Sequence, residues 1–169
     1  MLGSHTRIMT GSPNAPAMRC VDVKWGMAAL QLLPLCTIDS VLTEPTVVGK
    51  GVGVIQENYL VMNASVKGPR LKGTMQGEAN WDWMSVPGGI GTLRVRATIV
   101  TDDGASINVR YEGRADIRNG NDGAAGYVAP VFTTSSPRYM WLNLVQAVGR
   151  GLRTDDRIHW EWYLVAEAP

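Results

Sequence analysis

The chain has 169 residues, 45% of them hydrophobic and 18% charged, which is enough apolar material for one closed core and too little length for two. Its 16 basic and 15 acidic residues leave a net charge of +1 and are mixed along the chain, so the electrostatic footprint of a nucleic-acid or anionic-membrane partner is absent. No apolar run approaches the roughly 18 residues that a membrane span needs, and the chain reads as soluble and cytoplasmic.

Six Trp and five Tyr stand against a single Phe, a bias toward rings that join an apolar body to one polar atom. Gly (19) and Pro (9) fall in turn-like clusters, which favours many short strands over a few long helices. Cys20 and Cys36 form no CxxC pair, and His5 and His159 are the only histidines, so no metal site and no redox motif is expected.

Residues 1–30 read as an extension. The stretch to Met18 is Gly, Ser, Thr, Pro and Asn without periodicity, and the apolar segment Met27 to Cys36 is interrupted by Pro34 and followed by no signal-cleavage pattern. An expression remnant, an upstream start or an arm packing on a neighbouring subunit all fit. Residues 31–169 are expected to form a single domain.

Within that domain Cys36 to Leu42, Tyr59 to Val66 and Leu71 to Gln76 read as strands, separated by the Gly49-Lys-Gly-Val-Gly53 turn and by Gly68-Pro69. The clearest strand runs from Leu93 to Thr101, with Leu93, Val95, Ala97 and Ile99 on one face. Asp102-Asp103-Gly104 then predicts a tight turn, and Ala105, Ile107, Val109 and Tyr111 resume the alternation, which makes a β-hairpin. Arg138 to Val148 is read as a strand with Tyr139, Trp141, Asn143 and Val145 on one face. The last strand, Arg157 to Ala166, sets Ile158, Trp160, Trp162 and Leu164 against Arg157, His159, Glu161 and Tyr163.

Eight to ten strands with no competing long helix predict an all-β fold. An antiparallel sheet of that length escapes exposed edges by closing, so the expected fold class is an antiparallel β-barrel, calycin-like or allene-oxide-cyclase-like, with an N-terminal extension. Apolar groups on both faces of several strands suggest a wall covered outside as well as inside, which suits a homodimer.

Gly68-Pro-Arg-Leu-Lys-Gly73, Thr101-Asp-Asp-Gly-Ala-Ser-Ile107 and Ser136-Pro-Arg-Tyr-Met-Trp-Leu-Asn143, in this order and separation, resemble the domain-of-unknown-function family three-two-three-seven from about Leu33 to Val165. The resemblance implies a small β-barrel, often oligomeric, with no generally established activity. Its pattern marks Gly68, Pro69, Arg70, Gly73, Trp81, Asp102, Asp103, Gly104, Tyr139, Trp141, Leu142 and Asn143. Two departures stand out: Asn80 occupies the position where relatives carry Asp before the tryptophan, and Gly49 to Gln56 holds only Lys50 where an arginine is usual. A carboxylate lost at position 80 would have to be replaced by Asp82.

The candidate chemistry follows from side-chain types. Asp102 and Asp103 are adjacent carboxylates that could divide acid and base work, although the turn alone explains Asp103. Arg70, held by a rigid Gly-Pro turn, either aims its guanidinium at a ligand oxygen or pairs with a neighbouring Asp. A period of two brings Tyr139, Trp141 and Asn143 to one space, as a site or as core. His159 shares a polar face and lacks the oriented partner a triad requires. No G-x-S-x-G elbow and no phosphate or dinucleotide loop is present, so neither nucleophile-elbow chemistry nor NAD, FAD or ATP is expected, and no cofactor is assigned.

These residues compose one expectation: a cofactor-independent enzyme that folds or polarises an apolar, carbonyl-bearing small molecule for cyclisation, isomerisation or elimination. Arg70, Tyr139 and Asn143 would stabilise developing charge and Asp102 or Asp103 would move the proton. Asn80, Trp81, Trp83, Tyr111, Trp141, Trp160 and Trp162 would wall the cavity. The rival is a carrier that binds such a molecule unchanged, and a filled lumen would favour a purely structural oligomer.

Overall fold

The fold is described from a computed structural model over residues 29–48, 54–84, 89–120 and 122–168, with side chains described in those ranges except at 54–56 and 78–84. The extension 1–28, with Cys20 and His5, lies outside the described residues. Among the described residues ten strands follow in chain order: β1 (Leu30–Val41), β2 (Thr46–Val48), β3 (Val54–Lys67), β4 (Gly73–Met84), β5 (Ile90–Thr101), β6 (Ser106–Asp116), β7 (Ala125–Val128), β8 (Val131–Thr133), β9 (Ala147–Thr154) and β10 (Arg157–Glu167). A short 3-10 helix, η1 (Met140–Leu144), precedes β9.

The sheet runs β1-β10-β9-β7-β6-β5-β4-β3 and closes where Thr37–Asp39 of β1 pairs with Ser65–Lys67 of β3. The result is an eight-stranded antiparallel barrel, with β2 added beside β3 and β8 beside β6. Closure leaves no long free edge, which is why a sequence of short alternating strands settles on this architecture. β5 shows the pattern clearly: Leu93, Val95, Ala97, Ile99 and Thr101 are buried while Arg94, Arg96 and Val100 face out. Two bulges bend the wall. In β1 the register slips between Pro34 and Cys36, at a residue with no N–H to donate to the ladder; in β3 it slips between Val61 and Ala64, where Asn63 takes a left-handed conformation at φ 52°.

Among the described residues, the lumen around the two β10 indoles is packed. Tyr111 meets Trp160 and Trp162 edge to face at centroid distances of 5.8 and 5.3 Å, and Phe132 meets Trp162 at 5.9 Å. The strand beside the two indoles carries glycine where the rings cross it, Trp162 opposite Gly149 and Trp160 opposite Gly151. A methyl group at either glycine would overlap the ring. Tyr111, Trp160 and Trp162, expected to wall a cavity, are buried against one another, and the chamber bounded by Tyr111, Trp160, Met75 and Leu93 has about 10 Å³, room for one water at most.

Arg138 to Val148 is a correction, because only its last two residues, Ala147 and Val148, belong to a strand, β9. Ser136 to Leu144 forms a turn and η1, with Tyr139 N–H bonded to Ser136 O and Leu142 N–H to Tyr139 O, both at 2.9 Å. Tyr139 and Leu142, three residues apart, are the buried pair, as a three-residue turn dictates. No helix among the described residues is long and apolar enough to cross a membrane.

Candidate functional site

Three separate turns meet at one mouth of the barrel. The first, Gly68 to Lys72, joins β3 to β4; a Cβ at Gly68 would run into the backbone of Leu35 and Cys36, so only glycine lets this turn lie against the β1 bulge. Leu71 is fully buried and pins the turn, which sends its two neighbours, Arg70 and Lys72, outward. The second is the Asp102-Asp103-Gly104 hairpin turn, closed by Gly104 N–H to Thr101 O at 2.8 Å and by Thr101 N–H to Ala105 O at 2.9 Å. Asp102 N–H donates to Lys72 O at 3.2 Å, which ties the two turns together. The third is the approach to η1, carrying Arg138 and Tyr139.

Between them lies an open cleft of about 400 Å³ lined by Pro69, Arg70, Leu71, Lys72, Asp102, Asp103, Arg138 and Tyr139. Four of the five expected catalytic residues, from segments more than thirty positions apart, share this space. Lys72 and Arg138 join them unforeseen. Their signal is present in the sequence, since each sits inside a motif already singled out, Gly-Pro-Arg-Leu-Lys-Gly and Ser-Pro-Arg-Tyr.

The polar groups of the cleft divide into engaged and free. Asp103 is the hub of the engaged set. Its Oδ1 accepts from Thr101 Oγ1 at 2.5 Å and from the Tyr139 hydroxyl at 3.0 Å, while Oδ2 takes Arg138 Nη1 at 2.9 Å. The Thr101 hydrogen bond above all, then the Tyr139 hydroxyl and the Arg138 charge, hold the Asp103 carboxyl below the ordinary carboxylate range against a partial desolvation that opposes them. The Arg138 to Asp103 pair is largely exposed and by itself adds little to stability. Its effect is to orient the Tyr139 ring, buried beneath it.

Of the two roles expected of Arg70, pairing with a neighbouring Asp is not made among the described residues. Its guanidinium carbon stands over Trp141 instead, 3.9 Å from the ring centroid, a cation–π contact. Lys72 and Asp102 are exposed, and among the described residues their charged ends carry no hydrogen bond.

Asn143 departs from its expected place. Its Oδ1 accepts from Thr134 N–H and its Nδ2 donates to Thr134 O, both at 2.9 Å, so the amide clamps the β8 to η1 loop and does not line the cleft. The 3-10 turn is the reason, because it separates Asn143 from Tyr139 where a strand would have aligned them. Asn80, Trp81 and Trp83 stand on β4, opposite Arg94, Leu93 and Gly91 of β5; their side chains lie outside the described residues. His159 has a partner that its neighbours in sequence concealed: Asp39 of β1, 120 residues away, approaches Nδ1 at 2.6 Å on the outer wall. Burial pushes the Cys36 thiol up to about 12, which removes it as a nucleophile.

Comparison with known proteins places this geometry in a group. Among curated proteins there is no match. Solved structures share the fold: a β-barrel-like protein from Acinetobacter baumannii has 21% identity and a TM-score of 0.73, covering 85% of this chain and 100% of its own. A conserved protein of unknown function from Rhodopseudomonas palustris has 21% identity and a TM-score of 0.72, covering 83% and 100%. An enzyme from Penicillium herquei has 25% identity and a TM-score of 0.57, covering 81% and 94%. Residues 30–165 match the family described as protein of unknown function (DUF3237), and the chain belongs to that family.

Proposed function

We propose that this barrel is a cofactor-independent enzyme that binds a carbonyl-bearing small molecule in the mouth cleft and moves a proton on it. The observation that carries the reading is the convergence of Arg70, Asp102, Asp103 and Tyr139 on one cleft of about 400 Å³, a volume in the range of small-molecule sites. An enzyme from Penicillium herquei built on the same fold supports it. The barrel supplies rigidity and the three turns supply chemistry.

Asp102, the carboxylate without hydrogen bonds among the described residues of the cleft, takes a proton from the carbon beside the carbonyl. The C–H pair becomes the C=C bond of an enolate, and the carbonyl pair moves onto oxygen, where the Arg70 and Lys72 charges stabilise it. Return of the proton to another carbon is an isomerisation; attack of the enolate carbon on a second carbonyl is a cyclisation; departure of a group from the next carbon is an elimination. Asp103 holds Tyr139 and Arg138 in place while this happens. Proton movement alone requires no cofactor.

Solvent-to-carbon deuterium exchange in a panel of aryl and alkyl ketones, followed by NMR, tests the reading. Asp102→Asn is expected to slow protein-dependent exchange by about 10²–10⁴-fold. Exchange that is equal in wild type and Asp102→Asn, or that never exceeds the buffer rate, overturns catalysis. The second of these outcomes leaves the carrier reading, which the exposure of Asp102 favours.

A homodimeric, cytoplasmic setting belongs to the same proposal. Leu32, Leu33, Leu60 and Met62 are exposed on the outer wall, which supports burial against a second copy. Light scattering on the purified chain is expected to return twice the monomer mass; a monomer at micromolar concentration contradicts it.

A further inference from the structure

We infer that the cleft selects molecules bearing a carboxylate, with Arg70 as its planar receptor and Lys72 as its second cation. This rests on the mouth cleft being the ligand site. The argument is a balance of charge within one lining. Three cations, Arg70, Lys72 and Arg138, face two carboxylates, Asp102 and Asp103. Arg138 and Asp103 satisfy one another at 2.9 Å, and Thr101 and Tyr139 fill the remaining acceptor capacity of Asp103 Oδ1. What stays open is Arg70 and Lys72 against Asp102 alone, an excess of one positive charge facing the ligand.

Geometry selects the kind of anion. Trp141 lies under the Arg70 guanidinium, 3.9 Å from Cζ to the ring centroid, which holds the group at the cleft, and two parallel N–H groups of a guanidinium match the two oxygens of a carboxylate. A neutral ketone offers one oxygen and would leave the excess positive charge of the cleft unmatched. Leu71, turned into the core between the two cations, keeps Arg70 and Lys72 on the outward side of the turn. A single oxo acid can therefore place its carboxylate on Arg70 and its carbonyl oxygen near Lys72, with the intervening or neighbouring C–H toward Asp102. The substrate class that results is an oxo carboxylic acid with an apolar body.

The test titrates phenylpyruvate, benzoylacetate, their methyl esters and inorganic phosphate into the full chain, with the Trp141 indole N–H resonance and calorimetry as readouts. The acids are expected to bind at millimolar or tighter affinity and to shift that resonance, and each ester to bind at least about tenfold more weakly. Arg70→Ala is expected to lose the difference between acid and ester. Arg70→Lys, which keeps charge without the planar fork, recovers only part of it, and Lys72→Gln weakens acid binding several-fold. Unchanged thermal melts of these variants show that folding is intact, as expected for exposed side chains.

Esters binding as tightly as acids, no acid shifting the indole resonance at millimolar concentration, or phosphate displacing the acids at equal or lower concentration each overturn the inference. The two proposals fail separately. Acids that bind through Arg70 but show no Asp102-dependent exchange remove catalysis and leave carboxylate selection; neutral ketones that exchange without any preference for acids do the reverse.

Discussion

Replacing Trp162 by alanine is expected to lower the stability of the barrel by about 3–5 kcal/mol, the usual cost of truncating a large aromatic in a core that cannot collapse around the gap. The side chain is only 1% exposed and forms edge-to-face contacts with both Tyr111 and Phe132. Urea denaturation reads the effect as a lower midpoint at an unchanged slope.

Trp162→Phe is expected to cost clearly less. It keeps a ring in the same slot and removes the indole N–H, the buried side-chain polar atom left without a partner among the described residues, whose desolvation the folded state bears without return. The opposite change makes the same point from the neighbouring strand. Gly149→Ala drives a methyl into the Trp162 ring and is expected to cost about 1–3 kcal/mol by overpacking, part of which Trp162→Phe should restore if the two positions share one space. A loss under about 1 kcal/mol for Trp162→Ala would mean that the rings are not what fills the lumen, and would return the ligand to the barrel interior.

Asp103→Asn is expected to flatten the acid limb of the stability profile. In the folded chain the Asp103 carboxyl is held below the ordinary range, first by Thr101 and then by Tyr139 and Arg138; in the unfolded chain it returns to roughly 4. A carboxyl lowered on folding stabilises the native state at every pH above its unfolded value. That contribution is lost as the pH falls through the folded value. The melting temperature of the wild-type chain should therefore drop below about pH 4, and Asp103→Asn should drop less over the same window.

The slope will not vanish. Asp116, held down to about 2 by its hydrogen bonds to Arg118, titrates in the same direction and remains. Asparagine still accepts from Thr101 or Tyr139 but cannot match the Arg138 charge, so exchange activity should fall with no change in the bound position of a carboxylate on Arg70. An acid limb identical in wild type and Asp103→Asn would show that the Thr101, Tyr139 and Arg138 contacts do not persist in solution.

Much of the barrel wall is legible in the residue pattern. Leu93, Val95, Ala97 and Ile99, the hairpin at Asp102-Asp103-Gly104 and the inward set Ile158, Trp160, Trp162 and Leu164 all stand out, because a period of two is a property of each strand alone. The motif residues Arg70, Asp102, Asp103 and Tyr139 are legible as candidates for the same reason that turns are: Gly, Pro and Asp announce them locally. The reading of Arg138 to Val148 as a strand fails where a short helical turn imitates alternation. Tyr139, Met140, Trp141 and Leu142 are apolar in succession, and neither period can be told from four such residues.

What the amino-acid sequence by itself determined is which residues share a face along each strand and where the chain must turn. What only the tertiary structure decided is which turns become neighbours and whether the enclosed space is empty. Strand order and closure bring Gly68 to Lys72, Asp102 to Gly104 and Arg138 to Tyr139 to one mouth, and His159 to Asp39, over separations that no local pattern encodes. The fate of the lumen is a matter of volume summed over facing strands. Two glycines on β9 admit two indoles from β10, Tyr111 meets both and Phe132 meets Trp162, and the cleft at the rim is where backbone turns hold charged side chains that a packed interior could not solvate.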